Sequence, residues 1–272
     1  MSSSLRTVIK RAVKRGAMVV GTVLRHPRPP SRILTYHSVG QLDHAMNVTP
    51  EDFAEQMAWL ADNATLNTLD DAAEARPGVA VTLDDGYRDN FTNAAPILVR
   101  HEIPAVVFVV AGKLGGLLTT DAEPRHGCLM TWDETRELCA MGIAIGGHSL
   151  SHRRLSHLAP DEQREEIVGS CRRIAEELGQ RVRYFAYPYG TSSDYDDTSV
   201  QLVKEAGCDV ACSNRYGYNV KGCGRFTLRR IWIDATDTLE TFSAKVQGRL
   251  DALSALDSRA GMFARRMLNK VA

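Results

Sequence analysis

The sequence has no net charge, no CxxC pair, no apolar run long enough to cross a membrane and no histidine beyond residue 157. Each absence excludes something. With 33 basic and 33 acidic residues, no global field attracts nucleic acid, so any basic surface must be local. The six cysteines (Cys128, Cys139, Cys171, Cys208, Cys212 and Cys223) form neither a compact disulfide framework nor a zinc-type spacing with histidine. Reduced, mostly buried thiols follow, and they favour the cytoplasm. A metal site on Cys208, Cys212 and Cys223 lacks a fourth ligand. A membrane-spanning helix needs roughly 20 apolar residues, more than any stretch supplies.

What is present begins with a local charge cluster. Arg6, Lys10, Arg11, Lys14 and Arg15 interleave with Leu5, Val8, Ile9, Val13 and Val20. Residues 4–25 read as a basic amphipathic helix on a membrane surface or docked on the domain, with plain surface structure as the bland alternative. A signal peptide fits less well. Residues 16–24 are barely long enough for its apolar core, and Arg25-His26-Pro27-Arg28 follows instead of a small-residue cleavage site. The Pro-rich stretch from His26 to Ser31 reads as a linker, dividing the chain into 1–31 and a domain over 32–272. The expected location is cytoplasmic, peripheral to the membrane through residues 4–25, with export as the alternative.

From Arg32 onward, short apolar runs alternate with helical patterns. The expected strands are 33–36, 79–83, 105–110, 143–146, 183–187, 209–212 and 228–233. Thr49 as N-cap and Pro50 start a helix whose Phe53, Met57 and Leu60 share a face. Thr131 and Glu134 have capping-box spacing, and Gly142 is placed to end that helix. A longer helix over 162–178 is stopped by Gly179, and one over 200–206 by Gly207. The stretch 239–268 predicts two helices broken near 258–261. Alternation over this length indicates a mainly parallel sheet covered by helices, an α/β fold. A barrel places its chemistry at the C-terminal ends of strands. Four segments fall at that end of four expected strands: His37, Asp84-Asp85, His148 and Tyr189-Gly190.

Thr82-Leu83-Asp84-Asp85-Gly86 and His148-Ser149-Leu150-Ser151-His152 supply two carboxylates and two imidazoles. An Asp and two His can hold a divalent ion with a position open for water, and the second Asp is then free to take that water's proton. Both aspartates can enter one site only where the strand ends and the chain turns, a turn Gly86 supplies; the commoner use of Asp-Asp-Gly is a surface turn. A helical turn would put His148 and His152 on one face, and Gly146-Gly147 lets the backbone bend or pass close to a ligand. His157 reads as a surface histidine.

These two motifs, with Phe185-Ala186-Tyr187-Pro188-Tyr189-Gly190 as a third, resemble the polysaccharide deacetylase family, the carbohydrate esterases with a NodB-homology domain. The likeness spans about residues 33–233. It implies a distorted (β/α) barrel and metal-dependent removal of acyl groups, usually acetyl, from aminosugars or sugar esters. It further implies Asp85, His148 and His152 as metal ligands, Asp84 as general base, and the Tyr189 backbone N–H as an oxyanion donor. Zinc suits a two-His, one-carboxylate set most simply; cobalt, nickel or iron also fit.

The sequence departs from that pattern. Ala186 stands where many members carry Arg, and the late Leu-x-His segment is missing. An amine leaves poorly unless protonated, so another acid is needed. His37, in Leu34-Thr35-Tyr36-His37-Ser38-Val39, is similar to the early Tyr-His segment of deacetylases acting on poly-N-acetylglucosamine-type exopolysaccharides. Otherwise His37 merely caps a strand end. The resemblance places Arg230 near Asp84, and Arg229 alternates with it, so only one faces the site. Trp132 and Trp232 fit sugar stacking and core packing alike.

The expected activity is N-deacetylation of a hexosamine in a polysaccharide, oligosaccharide or lipid-linked glycan. The alternatives are an O-acetyl esterase and a non-catalytic carbohydrate-binding or membrane-docked protein on a degenerate deacetylase scaffold.

Overall fold

The computed structural model describes residues 30–42, 45–118 and 127–257. The expected basic helix over residues 4–25, most of the linker, and the helix break near 258–261 lie outside the described residues. Seven strands form a closed parallel barrel in chain order: β1 (Ser31–Tyr36), β2 (Gly78–Leu83), β3 (Ala105–Val109), β4 (Ala144–Gly147), β5 (Tyr184–Ala186), β6 (Val210–Tyr216) and β7 (Leu228–Trp232). Closure is made by β7 pairing with β1, with Leu34 opposite Ile231 and Thr35 opposite Trp232. All seven expected strands are present. β6 runs further than expected, with an irregularity between Cys212 and Tyr216.

Alternation along the strands sorts side chains into two layers. Ile33, Ala80, Val106, Phe108, Tyr184, Ala186, Val210, Cys212 and Leu228 fill the barrel. Their neighbours, such as Leu34, Val81, Val107, Ile145 and Phe185, face outward beneath the helices. Both faces are covered, which is why these strands read as continuous apolar runs rather than alternating ones. A short helix, α2 (Leu69–Ala73), contributes Leu69 and Ala72 to the inner cluster.

The outer helices begin where their caps predict. α1 (Pro50–Asn63) starts after Thr49, whose hydroxyl accepts from the Asp52 N–H, and it buries Phe53, Met57 and Leu60. After β2, a π-helical turn (Asn90–Ala94) leads into α3 (Ala95–Arg100). Then α4 (Trp132–Ala140) opens on the Thr131–Glu134 capping box, and Gly142 follows its end at φ +86°. The expected helix over 162–178 is interrupted: α5 (Pro160–Arg164) passes through a π-helical turn (Glu165–Gly169) into α6 (Ser170–Leu178). α7 (Asp197–Glu205) precedes β6.

The last α-helix among the described residues, α8 (Leu239–Val246), ends well before 258 because Gly248 turns the chain at φ +80°. A 3₁₀ turn (Asp251–Asp257) follows. No helix among the described residues is long and apolar enough to cross a membrane.

Gly146 serves the barrel itself. A Cβ there would stand 2.5 Å from the Phe108 ring inside the barrel and 2.9 Å from the Tyr184 carbonyl oxygen. Its small size makes room for Phe108, a packing role beside the bend or close ligand approach expected of Gly146-Gly147.

Candidate active site

The barrel ladders run on into the site. The Asp84 N–H donates to Tyr36 O at 2.9 Å, and the His148 N–H to Val109 O at 2.9 Å. His37, Asp84, Asp85, His148 and Tyr189 therefore stand at one end of the barrel, just beyond β1, β2, β4 and β5. Immediately after Asp84 the backbone leaves the strand: Asp85 takes φ +74° and Gly86 φ +78°. Asp85, and not only the glycine, makes the turn that brings both carboxylates to the same mouth. Left-handed backbone is sparsely populated by non-glycine residues and persists where the surroundings over-determine it.

His148 and His152 do come together, with ring centroids 5.0 Å apart, but not on a helical turn. Residues 148–154 form an irregular loop with Ser149 at φ +63° and His152 at φ +64°. That path is held by specific partners. The His152 N–H donates to Ser149 Oγ at 2.9 Å. The Leu150 and Ser151 N–H groups donate to Glu166 Oε2 at 3.0 and 2.9 Å, and the Ser151 hydroxyl donates to Glu166 Oε1. Glu166 sits on the π-helical turn before α6 and is buried. Such turns recur where a helix must re-aim a side chain at a functional site. Glu166 was not anticipated, because in the sequence it is one of two adjacent acids in a helical pattern.

Asp85, His148 and His152 are the group among the described residues whose ligand atoms converge. Asp85 Oδ1 lies 3.5 Å from His148 Nε2 and 3.2 Å from His152 Nε2. Donors about 2.1 Å from a tetrahedral ion stand roughly 3.4 Å apart, so the spacing fits one shared divalent cation. His148 Nδ1 lies 2.7 Å from the Ala186 carbonyl oxygen; that contact requires the proton on Nδ1. The Nε2 of a neutral ring then presents its lone pair toward the Asp85 carboxylate. Acceptor facing acceptor is unfavourable unless a proton on Nε2 or a metal cation stands between them, and a carbonyl behind the imidazole is a common support for a metal-bound histidine. Burial works against the Asp85 charge, but contacts with His148 and His152 hold its carboxyl well below the usual range.

Asp84 meets a different partner. Arg230, fully buried, donates from Nη1 to Asp84 Oδ1 and from Nη2 to Asp84 Oδ2, both at 2.6 Å. Its Nε donates to Ser213 O at 2.9 Å. Burial alone would raise the Asp84 pKa, but Arg230, then the nearby His148 and His37, leave it below the usual value. Arg229 points elsewhere, donating to Tyr216 O at 3.1 Å.

His37 is buried and close enough to contribute to both carboxylates' electrostatics. Its carbonyl accepts from Asn90 Nδ2 at 2.7 Å, and the next residues are tied to Asp89, through Ser38 Oγ at 2.5 Å and the Val39 N–H at 3.1 Å. The Tyr189 ring packs against His152 at 4.8 Å between centroids.

Other expectations fall outside this cluster. His157 is exposed, in a 3₁₀ turn. Trp132 opens α4 on the barrel's outside, whereas Trp232 ends β7, donating its indole N–H to Asn214 O at 2.9 Å. Cys208 lies against Cys171, with sulfurs 3.8 Å apart, and Cys212 is inside the barrel, where burial pushes its thiol up to about 12. Only Cys171, Cys208 and Cys212 are buried; Cys128 is exposed, and Cys139 and Cys223 are half-buried.

The polysaccharide deacetylase family model matches residues 71–211, a span that carries Asp84, Asp85, His148, His152 and Tyr189. The chain belongs to the polysaccharide deacetylase family. Among its relatives, YxkH of Bacillus subtilis (strain 168) is 25% identical over 224 residues, 79% of this chain and 75% of that one. The poly-beta-1,6-N-acetyl-D-glucosamine N-deacetylase of Staphylococcus aureus (strain MRSA252) is 23% identical over 193 residues, 64% of this chain and 61% of that one. In structure, IcaB from Ammonifex degensii superposes with a TM-score of 0.69 at 24% identity, covering 82% of this chain and 100% of that one. That likeness establishes the deacetylase barrel. His37 and Arg230 lie outside the matched family span, so their placement beside Asp84 comes from the fold alone.

Proposed function

We propose that this chain is a metal-dependent N-deacetylase acting on an N-acetylated hexosamine within a polysaccharide, oligosaccharide or lipid-linked glycan. One observation carries the reading. Three convergent ligand atoms stand beside a buried carboxylate kept ionised by a buried arginine, at the open end of a deacetylase barrel.

Asp85, His148 and His152 would hold the ion. Zinc suits the donor set, with cobalt, nickel or iron also compatible. When bound, a divalent ion supplies an acidified water and a Lewis-acid contact for the acetyl carbonyl. Asp84 takes the proton from the attacking water. Arg230 occupies one direction of each Asp84 oxygen, and a carboxylate retains further acceptor capacity beyond a bidentate arginine. The Tyr189 backbone N–H donates to the oxyanion formed when the carbonyl is attacked. His37 protonates the departing nitrogen as the C–N bond breaks, leaving acetate and a free amine.

The relative named as a poly-beta-1,6-N-acetyl-D-glucosamine N-deacetylase supports an N-acetylglucosamine polymer as the substrate class. The test is acetate release by the zinc-loaded full chain from N-acetylated and O-acetylated oligosaccharides. The expected result is release from the N-acetylated substrate, abolished by a chelator and restored by zinc. Release from the O-acetylated one alone would make the chain an esterase.

A further inference from the structure

Tyr189 and Gly190 are consecutive left-handed residues, at φ +58° and φ +63°. For tyrosine this conformation needs support from outside the loop. Below, the Asn214 N–H donates to Gly190 O at 2.7 Å. The Tyr189 ring meets His152 edge-on, with centroids 4.8 Å apart, and Arg154 lies over it, its guanidinium carbon 4.0 Å from the ring centroid. A cation within about 6 Å of an aromatic face is held by the ring's quadrupole. The guanidinium is itself fixed by an ion pair with the buried Asp194.

Asp194 belongs to the same loop as Tyr189. Its Oδ2 accepts from the Thr191 N–H at 2.9 Å and the Thr191 hydroxyl at 2.5 Å, and its backbone carbonyl accepts from the Ser156 N–H at 3.1 Å. Arg154 thus joins the loop after β4, which carries His152, to the loop after β5, which carries Tyr189. Its neighbour Arg153 makes an exposed pair with Glu162, at 3.1 Å. In the sequence the two arginines look alike.

We propose that Arg154, anchored by Asp194, is a positioning residue that holds the Tyr189 backbone in register with the metal-ligand loop; this rests on the reading of Tyr189 as an oxyanion donor. A misplacement of about 1 Å in such a donor costs on the order of 10²-fold in rate. Because the contact forms in the transition state, the loss falls on kcat and not on KM.

The test uses the zinc-loaded full chain with Arg154→Met, which keeps the aliphatic stem, and Arg154→Lys, which keeps the charge. Amide exchange of the peptide spanning residues 187–194 needs no substrate. It is expected to rise about tenfold or more in Arg154→Met and to return toward the parent in Arg154→Lys, as local opening would give. Zinc affinity should stay within about threefold, while kcat drops about 10- to 100-fold with KM within about twofold. Unchanged exchange at 187–194, or a rise spread equally over the barrel, would overturn the proposal. Should Arg154→Met fail to fold, Arg154→Gln makes the same comparison and leaves the Asp194 contacts to Thr191 in place. If the parent releases no acetate from any substrate, the reading of Tyr189 fails, while the exchange result still judges the clamp.

Discussion

At the rim where the strands end, Asp84, Asp85, His148 and Arg230 are buried, with Asp84 paired to Arg230 and Asp85 facing the His148 and His152 imidazoles. At the rim where the strands begin, one largely buried pair, Arg32 with Asp251 at 2.6 Å, stands beside charges that stay in water. Arg183, 44% exposed, pairs with Asp70 and Asp209, and the still more exposed Arg181 also meets Asp209. Backbone strain divides in the same way. Asp85, Ser149, His152 and Tyr189 are left-handed at the first rim, against Ala75 and Glu102 in turns at the second. Buried charges and left-handed side chains each oppose folding. Their concentration at one end shows where the fold gives up stability for chemistry. The opposite end carries the ordinary work of closing the barrel.

The sharpest way to break this contrast is to remove a ligand. His148→Ala should abolish zinc binding in a metal analysis of the purified protein and take acetate release to background. One residue earlier in the mechanism, Asp84→Asn keeps the shape of the carboxylate and should retain zinc. Its kcat should fall roughly 10²- to 10⁴-fold, the range expected for a lost general base. Full turnover from Asp84→Asn would remove Asp84 from the reaction.

Arg230→Met separates stability from chemistry at the same rim. It leaves the Asp84 carboxylate buried without its counter-charge, a change that costs about 3–5 kcal/mol. Urea denaturation of the metal-free chain should show that loss. A cost below about 1 kcal/mol would mean that water reaches Asp84 and the pair is not buried.

The sequence discloses these two rims unequally. Seven apolar runs and the residues that follow them locate the barrel and its active end, because strand ends and turn-forming residues are local features. Asp84, Asp85, His148 and His152 are legible for the same reason. Glu166, Asn90 and Asp194 are not, since each acts on a loop far away in the chain, and nothing in Glu165-Glu166 tells which acid turns inward. The His148–His152 spacing suggests a helix, whereas contacts to Glu166 and Ser149 impose a loop. The first of the two helices expected over 239–268 would run through Gly248, and the left-handed backbone of that glycine stops α8 beside it.

Between the rims, Gly146 tests the wall they share. Ala in its place would drive a methyl into Phe108 and the Tyr184 carbonyl, neither of which has room to retreat within the closed barrel. Overpacking of this kind costs about 1–3 kcal/mol. Thermal unfolding should register it with zinc binding intact, because the site lies beyond the end of β4. Loss of zinc from Gly146→Ala would mean that wall and site are coupled.

The smallest effect is expected at the strand-starting rim. Arg183→Ala removes one exposed partner from Asp70 and Asp209, but Arg181 still reaches Asp209, with bonds of 3.2 and 2.8 Å, and the Tyr184 hydroxyl still donates to Asp70 at 2.8 Å. Both carboxylates also keep access to water, so neither is left with the penalty that Asp84 would suffer. Stability should fall by about 0–1 kcal/mol, less so at high salt, where exposed pairs are screened. Activity should not change. The difference from Arg230→Met, one arginine against another with similar carboxylate contacts, would then measure what burial does to a charge pair in this barrel. Equal losses from the two substitutions would erase the distinction between its ends.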